Sequence, residues 1–150
     1  MKKFLIVLTM VLASWKGIAQ AAEDSVKLAV NKMFLAMKNA DSTSLRSCFS
    51  TTMVLQTISR NKEGNTVVVN ESADEFIGSI QQLLPGEADE RISFETIRID
   101  GPLAIAWTPY KFYYKGKFSH CGVNSFQLVR FEGEWKVQYI IDTRRRVGCE

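Results

Sequence analysis

Residues 103–142 read LAIAWTPYKFYYKGKFSHCGVNSFQLVRFEGEWKVQYIID. Two glycine-containing dipeptides, Lys115-Gly116 and Glu132-Gly133, divide the stretch into three runs rich in β-branched and aromatic residues. The runs are Leu103–Tyr114, Lys117–Phe131 and Glu134–Asp142. A residue-glycine pair between such runs marks a two-residue hairpin turn. Two turns of that kind set a register. Leu103 faces Leu128, Ile105 faces Phe126 and Trp107 faces Asn124. Beyond the second turn, Leu128 faces Val137 and Phe126 faces Tyr139. One side of the sheet then collects Ile105, Trp107, Phe126, Leu128, Trp135, Val137, Tyr139 and Ile141. The other side of the last two runs collects Gln127, Glu134, Lys136, Gln138 and Asp142. A slip by one residue would scramble this sorting, so both turns support one buried face.

Upstream, Glu23–Asn39 places Val26, Ala29, Val30, Met33, Phe34 and Met37 at helical spacing, with Lys27, Asn31, Lys32 and Lys38 on the other side. Such a stripe faces a core by default. Asp41-Ser42-Thr43-Ser44 starts a short second helix with Leu45, Cys48 and Phe49 inward. Met53–Ser59 and Thr66–Asn70 read as a strand pair around a loop at Gly64. Ser72 caps a third helix, Ala73–Leu84, which Pro85-Gly86 stops. Arg91–Asp100 reads as one further strand. Segregated helices and one antiparallel sheet make an α+β domain, with the long helix covering the apolar sheet face.

The N-terminus reads as a targeting segment. Lys2 and Lys3 precede the apolar run Phe4–Ala13, and Ala19-Gln20-Ala21 has the small-x-small form of a cleavage site. The run is shorter than the roughly 20 residues needed to span a bilayer. The expectation is a signal peptide over residues 1–21, a single domain over 22–150, and a destination outside the cytoplasm, periplasmic or secreted, with no stable membrane insertion. The formal charge of +3 is carried by Lys2, Lys3 and Lys16. Residues 22–150 are therefore formally neutral, which disfavours nucleic-acid binding. Export would permit one disulfide among Cys48, Cys121 and Cys149. The register sets Cys121 opposite Arg144, from where Cys149 can fold back, so Cys121–Cys149 is a possible pair; three unpaired thiols are the alternative. One histidine and no C-x-x-C pair make a structural metal site improbable, and no cofactor is expected.

Several short runs resemble the nuclear transport factor 2-like superfamily. They are Ile99-Asp100-Gly101-Pro102-Leu103-Ala104, Trp107-Thr108-Pro109-Tyr110, Ser119-His120-Cys121-Gly122-Val123-Asn124-Ser125-Phe126, Glu134-Trp135-Lys136-Val137 and Asp142-Thr143-Arg144-Arg145. The likeness is strongest to the exported bacterial branch labelled SnoaL-like or lumazine-binding. It implies a cone-shaped fold, with a curved antiparallel sheet wrapped around about three helices, a conical pocket and frequent homodimers. It implies no single activity, since the superfamily holds isomerases, dehydratases, cyclases and binding modules.

His120 is the only histidine and the side chain best suited to move protons near neutral pH. It is a candidate general base or ligand contact; a structural role is the other reading. Asp142 could pair with it, although the register turns Asp142 outward unless a bulge intervenes. Tyr139, inward, could donate to a developing oxyanion. On the inward faces of the last three strands the titratable groups are then only Lys111, His120 and Tyr139, which argues against proton-transfer catalysis. The expected function is a non-catalytic pocket for a small apolar or aromatic ligand, lined by Phe34, Trp107, His120, Asn124 and Tyr139. The alternatives are an isomerase-, dehydratase- or cyclase-type enzyme using His120, or an interaction module with a filled cavity. Tyr110, Phe112 and Tyr114 would form an outer aromatic patch suited to a homodimer interface.

Overall fold

The structure, a computed structural model, describes the backbone of residues 2–149 and the side chains of residues 20–149. The expected leader falls almost wholly outside the residues whose side chains are described. Ten elements follow one another: α1 (Lys2–Lys38), α2 (Ser42–Ser47), β1 (Phe49–Arg60), β2 (Thr66–Glu71), α3 (Ala73–Gln81), β3 (Ala88–Ile92), β4 (Thr96–Asp100), β5 (Leu103–Tyr114), β6 (Lys117–Phe131) and β7 (Glu134–Arg145). Among the described residues no helix is long and apolar enough to cross a membrane.

The helix boundaries follow local chemistry. The Asp41 carboxylate accepts from the Ser44 N–H at 2.9 Å and caps α2. The Ser72 hydroxyl accepts from the Glu75 N–H and caps α3, with Asp74 and Glu75 in the positive first turn. On α1 the buried residues Val26, Val30, Met33, Phe34 and Met37 form the stripe read from the sequence. Phe34 meets Phe126 edge to face at 6.0 Å, and Trp135 Nε1 donates to Ser25 Oγ at 3.0 Å. The helix is thereby fixed to the middle of the sheet.

The strands run in the order β2-β1-β7-β6-β5-β3, with β4 also paired to β5. The sheet is curved, open and mixed. All pairings are antiparallel except β1 with β7, which is parallel and corrects the wholly antiparallel expectation. The stretch Arg91–Asp100 is not one strand. It breaks after Ile92, and two short strands, β3 and β4, pair with different halves of β5.

Both hairpin turns have the expected length. Lys115 and Gly116 have φ of 51° and 74°, and Glu132 and Gly133 have 49° and 89°, the left-handed pair that two-residue turns of this hand need. The register begins as read, with Tyr114 opposite Lys117 and Leu128 opposite Val137. Each hairpin then carries one bulge. Tyr113 pairs with Phe118 but Phe112 pairs with His120, so Ser119 is the extra residue. Leu128 pairs with Val137 but Gln127 pairs with Tyr139, so Gln138 is the extra residue. An inserted residue inverts the facing of everything beyond it.

The consequences are specific. On β6 the inward residues Asn124, Phe126 and Leu128 are as expected. On β5 the faces are exchanged. Ala104, Ala106, Thr108 and Tyr110 are buried, while Leu103, Ile105 and Trp107 are 46%, 41% and 45% exposed. Trp107 therefore does not face α1. Tyr110 is buried rather than part of an outer patch, and Phe112 packs against the core. On β7 Ile140 and Asp142 turn in. Tyr139 turns away, and its hydroxyl donates to Gln56 Oε1 at 2.6 Å. The physical reason on β5 is space: beneath a closely packed helix the sheet accommodates alanine where an indole would not fit.

Candidate functional site

At one end of the sheet the inner face is not filled by helix. A cavity of about 390 Å³ remains there. Its apolar wall comes from Met37 of α1, Phe76, Ile80 and Leu83 in and just after α3, and Phe112 of β5. Its polar wall comes from Glu71, Glu90, Tyr110, His120, Asp142 and Arg144. The two bulges and strand β3 assemble that polar wall: they turn Tyr110 and Asp142 inward and bring Glu90 alongside.

Asp142 is the hub. Its carboxylate accepts from Thr57 Oγ1 at 2.5 Å, Arg144 Nε at 2.8 Å and Tyr110 Oη at 3.1 Å. Arg144 also donates to Thr57 Oγ1 at 2.9 Å. Tyr110 Oη lies 3.0 Å from the Thr143 carbonyl as well, so its single proton is shared between two acceptors. Burial raises the Tyr110 pKa well above its ordinary value, and the Asp142 and Glu90 carboxyls add to the effect. The phenol stays protonated and occupied. A buried carboxylate with this many donors is satisfied, and that is the usual condition for holding one inside a protein.

Glu90 is different. The residue keeps some access to the cavity, yet its carboxyl is packed round closely enough that desolvation pushes its pKa up to about 7. Among the described residues its one side-chain donor is Asn124 Nδ2, at 2.8 Å from Oε1, which opposes the rise. Asp142 adds to the rise and Arg144 opposes it. Near neutral pH this carboxyl exists in both protonation states, a condition suited to giving or taking a proton. Strand β3 holds it. Asp89, next in the chain, pairs with Lys38 and Arg91 at 2.9 Å each and ties β3 to the end of α1. Its pKa falls because those two cations outweigh the effect of burial.

His120 lines the cavity, with its ring 5.1 Å from Phe112 and 5.6 Å from Tyr110. Its Nδ1 lies 3.1 Å from Ser119 Oγ. Burial lowers its pKa, the Arg144 charge lowers it further, and Asp142 opposes. Burial and the Arg144 charge both favour the neutral ring. No carboxylate among the described residues hydrogen-bonds it, so the His120–Asp142 dyad does not form although both residues line one cavity.

The other expected ligand residues separate. Asn124 stands behind Glu90 and supports it. Phe34 lies in the core against Phe126. Trp107 and Tyr139 lie on the outer face. Glu90, Tyr110 and Arg144 were not legible as site residues. Ala88–Ile92 is too short and too polar to show alternation, and a bulge has no local signature at Ser119. Gly122 is a partial signal. A Cβ there would lie 1.7 Å from the Thr143 carbonyl oxygen and 2.8 Å from the Tyr110 ring, so only glycine lets β7 and Tyr110 approach.

Cys121 and Cys149 are disulfide-bonded, with Cα atoms 5.7 Å apart, and Cys48 is a buried free thiol. The bond ties the segment after β7 back onto β6. Among the described residues no group of three or more His, Cys, Asp and Glu is placed to hold a metal ion.

Neither a protein-family model nor a curated protein sequence matches the chain. Solved structures do. A nuclear transport factor 2-like protein of unknown function from Silicibacter pomeroyi is 16% identical, with a TM-score of 0.67 over 85% of this chain and 98% of that one. A counterpart from Shewanella baltica is 17% identical, with a TM-score of 0.63 over 83% and 94%. A candidate dehydratase of the same family from Streptomyces avermitilis is 14% identical, with a TM-score of 0.62 over 85% and 98%. At such identities the likeness speaks to architecture, and it agrees with the curved sheet, the covering helices and the open end described above: this chain has the nuclear transport factor 2-like fold.

Proposed function

We propose that the protein is an exported pocket protein that binds one small molecule in the cavity at the open end of the sheet. The bound molecule presents an apolar body to Phe76, Ile80, Leu83 and Phe112, and a hydrogen-bonding group to Glu90 and His120. The observation that carries this reading is the pairing of an apolar wall with a carboxyl of pKa about 7 in a space of about 390 Å³. That volume lies in the range of sites for small ligands. Tyr110, Asp142 and Arg144 are spent on one another and form a rigid back wall.

A second reading is an isomerase- or dehydratase-type enzyme with Glu90, rather than His120, as the acid–base group. The raised pKa of Glu90 favours it, because proton transfer is most efficient from a group poised near the working pH. Against it, the Tyr110 proton is already engaged and is not free to stabilise an oxyanion.

Homodimer formation is part of the proposal, with its surface moved to the outer face. Leu103, Ile105 and Trp107 lie side by side there as exposed apolar residues.

Native mass spectrometry of protein purified from the periplasm tests the reading, by revealing a retained small molecule and the subunit count together. A retained molecule lost in Ser79→Trp, which puts an indole on the cavity wall, supports the pocket. Retention unchanged in that variant overturns it. Glu90→Gln then separates the two readings. Binding that survives while turnover of the identified molecule vanishes favours the enzyme.

A further inference from the structure

The mouth of this cavity continues into a second hollow of about 510 Å³ lined by Tyr114, Lys117, Phe118, Ser119 and Arg146. Tyr114 belongs to both walls. The ladder explains the continuity. Tyr114 pairs with Lys117, Phe112 with His120 and Gly122 with Arg144. Arg146 follows directly on the end of β7 and lines the second hollow. The Ser119 bulge places its hydroxyl beside His120, at the junction of the two spaces.

The charges at this mouth have one sign. Among the described residues neither Lys117 nor Arg146 makes an ion pair, whereas Lys115 nearby is paired with Glu87 at 3.5 Å. Arg144, just inside, is held by Asp142. Arg146 is exposed at the rim of this hollow, and its charge is among those that lower the His120 pKa. The Cys121–Cys149 bond anchors the segment that carries Arg146. Two cations without an ion pair among the described residues, beside an aromatic ring at the entrance to a largely apolar pocket, form an arrangement suited to an anion on an apolar body.

We infer that the mouth is an anion subsite, formed by Lys117 and Arg146 with Ser119 and Tyr114, and that the ligand is a small amphipathic organic anion such as a carboxylate or sulfonate. Its apolar part enters the cavity and its charged group stays at the entrance. This inference rests on the pocket reading and specifies the class of molecule bound.

Two dyes of matched skeleton test it: 1-anilinonaphthalene-8-sulfonate and its uncharged counterpart N-phenyl-1-naphthylamine, titrated by fluorescence. The expected result is at least about tenfold tighter binding of the sulfonate, an advantage that shrinks as salt rises. Lys117→Gln combined with Arg146→Gln brings the sulfonate to within about twofold of the neutral dye and leaves the neutral dye unchanged. Both substitutions are at exposed positions, and circular dichroism confirms folding. Ser79→Trp weakens both dyes. Equal binding of the two dyes to the unaltered protein, or a sulfonate affinity unmoved by the double substitution, overturns the anion subsite and leaves the pocket standing. If neither dye binds, or both bind Ser79→Trp undiminished, the pocket reading fails and this inference with it.

Discussion

Asn124 Nδ2 donates to Glu90 Oε1 across 2.8 Å, and the two residues come from strands that are not neighbours in the sheet. Strand β5 lies between them. The bond therefore spans β5 and fixes the carboxyl at the cavity's polar end. That single contact makes Glu90 the group on which most measurable behaviour of the site depends.

Stability should fall as pH rises through the range in which Glu90 ionises. Its folded pKa of about 7 stands above the unfolded value of 4.5, so the folded state binds the proton more tightly. The stabilisation is complete below about pH 4.5 and is lost as pH rises through about 7. The shift corresponds to roughly 3 kcal/mol between those limits. Glu90→Gln keeps an acceptor for Asn124 and cannot ionise. Urea denaturation at pH 5 and pH 8 should show the variant gaining about 2–3 kcal/mol on the parent at the higher pH. A difference between the two proteins that does not change with pH refutes the assignment.

Tyr110→Phe removes one of three side-chain donors to Asp142 and leaves Thr57 and Arg144 in place. The expected loss is about 1–2 kcal/mol. Asp142→Ala strips Arg144 of its partner as well and should cost about 3–5 kcal/mol. Equal losses in the two variants would show that Asp142 is not the hub.

Gly122→Ala should be among the most damaging changes in the chain. The new methyl would meet the Thr143 backbone, which cannot rotate away, and the Tyr110 ring. A loss of about 3 kcal/mol or more is expected, read as a lower midpoint in thermal unfolding. Ala at Gly78, where a Cβ meets nothing within 4 Å, is the control and should be neutral or stabilising.

Replacing both Cys121 and Cys149 by serine opens a loop spanning 28 residues. Chain-entropy arguments give a loss of roughly 3–4 kcal/mol. Reduction of the unaltered protein should lower its unfolding midpoint by the same amount. A midpoint indifferent to reductant would mean that the bond does not form in solution.

Trp107→Glu should leave folding within about 1 kcal/mol of the parent, because the side chain is 45% exposed on the outer face. If the outer face joins two copies, the same change places like charges across a symmetric contact and yields monomers in sedimentation velocity. A dimer that persists in this variant excludes that face.

How much of this was legible beforehand varies by element. Helix α1 was readable because its stripe, Val26 to Met37, runs over about three turns and all of it is used. The caps at Asp41 and Ser72 were readable because they depend on neighbours three residues away. Both hairpin turns were readable for the same reason. Strand β5 was not, because it is apolar on both faces: Ala104, Ala106, Tyr110 and Phe112 compete with Leu103, Ile105 and Trp107, and hydrophobicity alone favours the larger set. Glu90 was hidden because β3 has no alternation of its own and becomes a strand by pairing with β5.

What the sequence determined by itself was therefore everything set by contacts between near neighbours: the helix stripe, the caps, the two turns and the starting register of each hairpin. What only the tertiary structure decided was where a residue is looped out, at Ser119 and Gln138, and with it which face of β5 and the end of β7 looks inward. A bulge is chosen by the fit of whole surfaces, here the space α1 leaves above Ala104 and Ala106 and the close approach of Tyr110 to Gly122. That energy is distributed over residues far apart in the chain, so no local stretch records it.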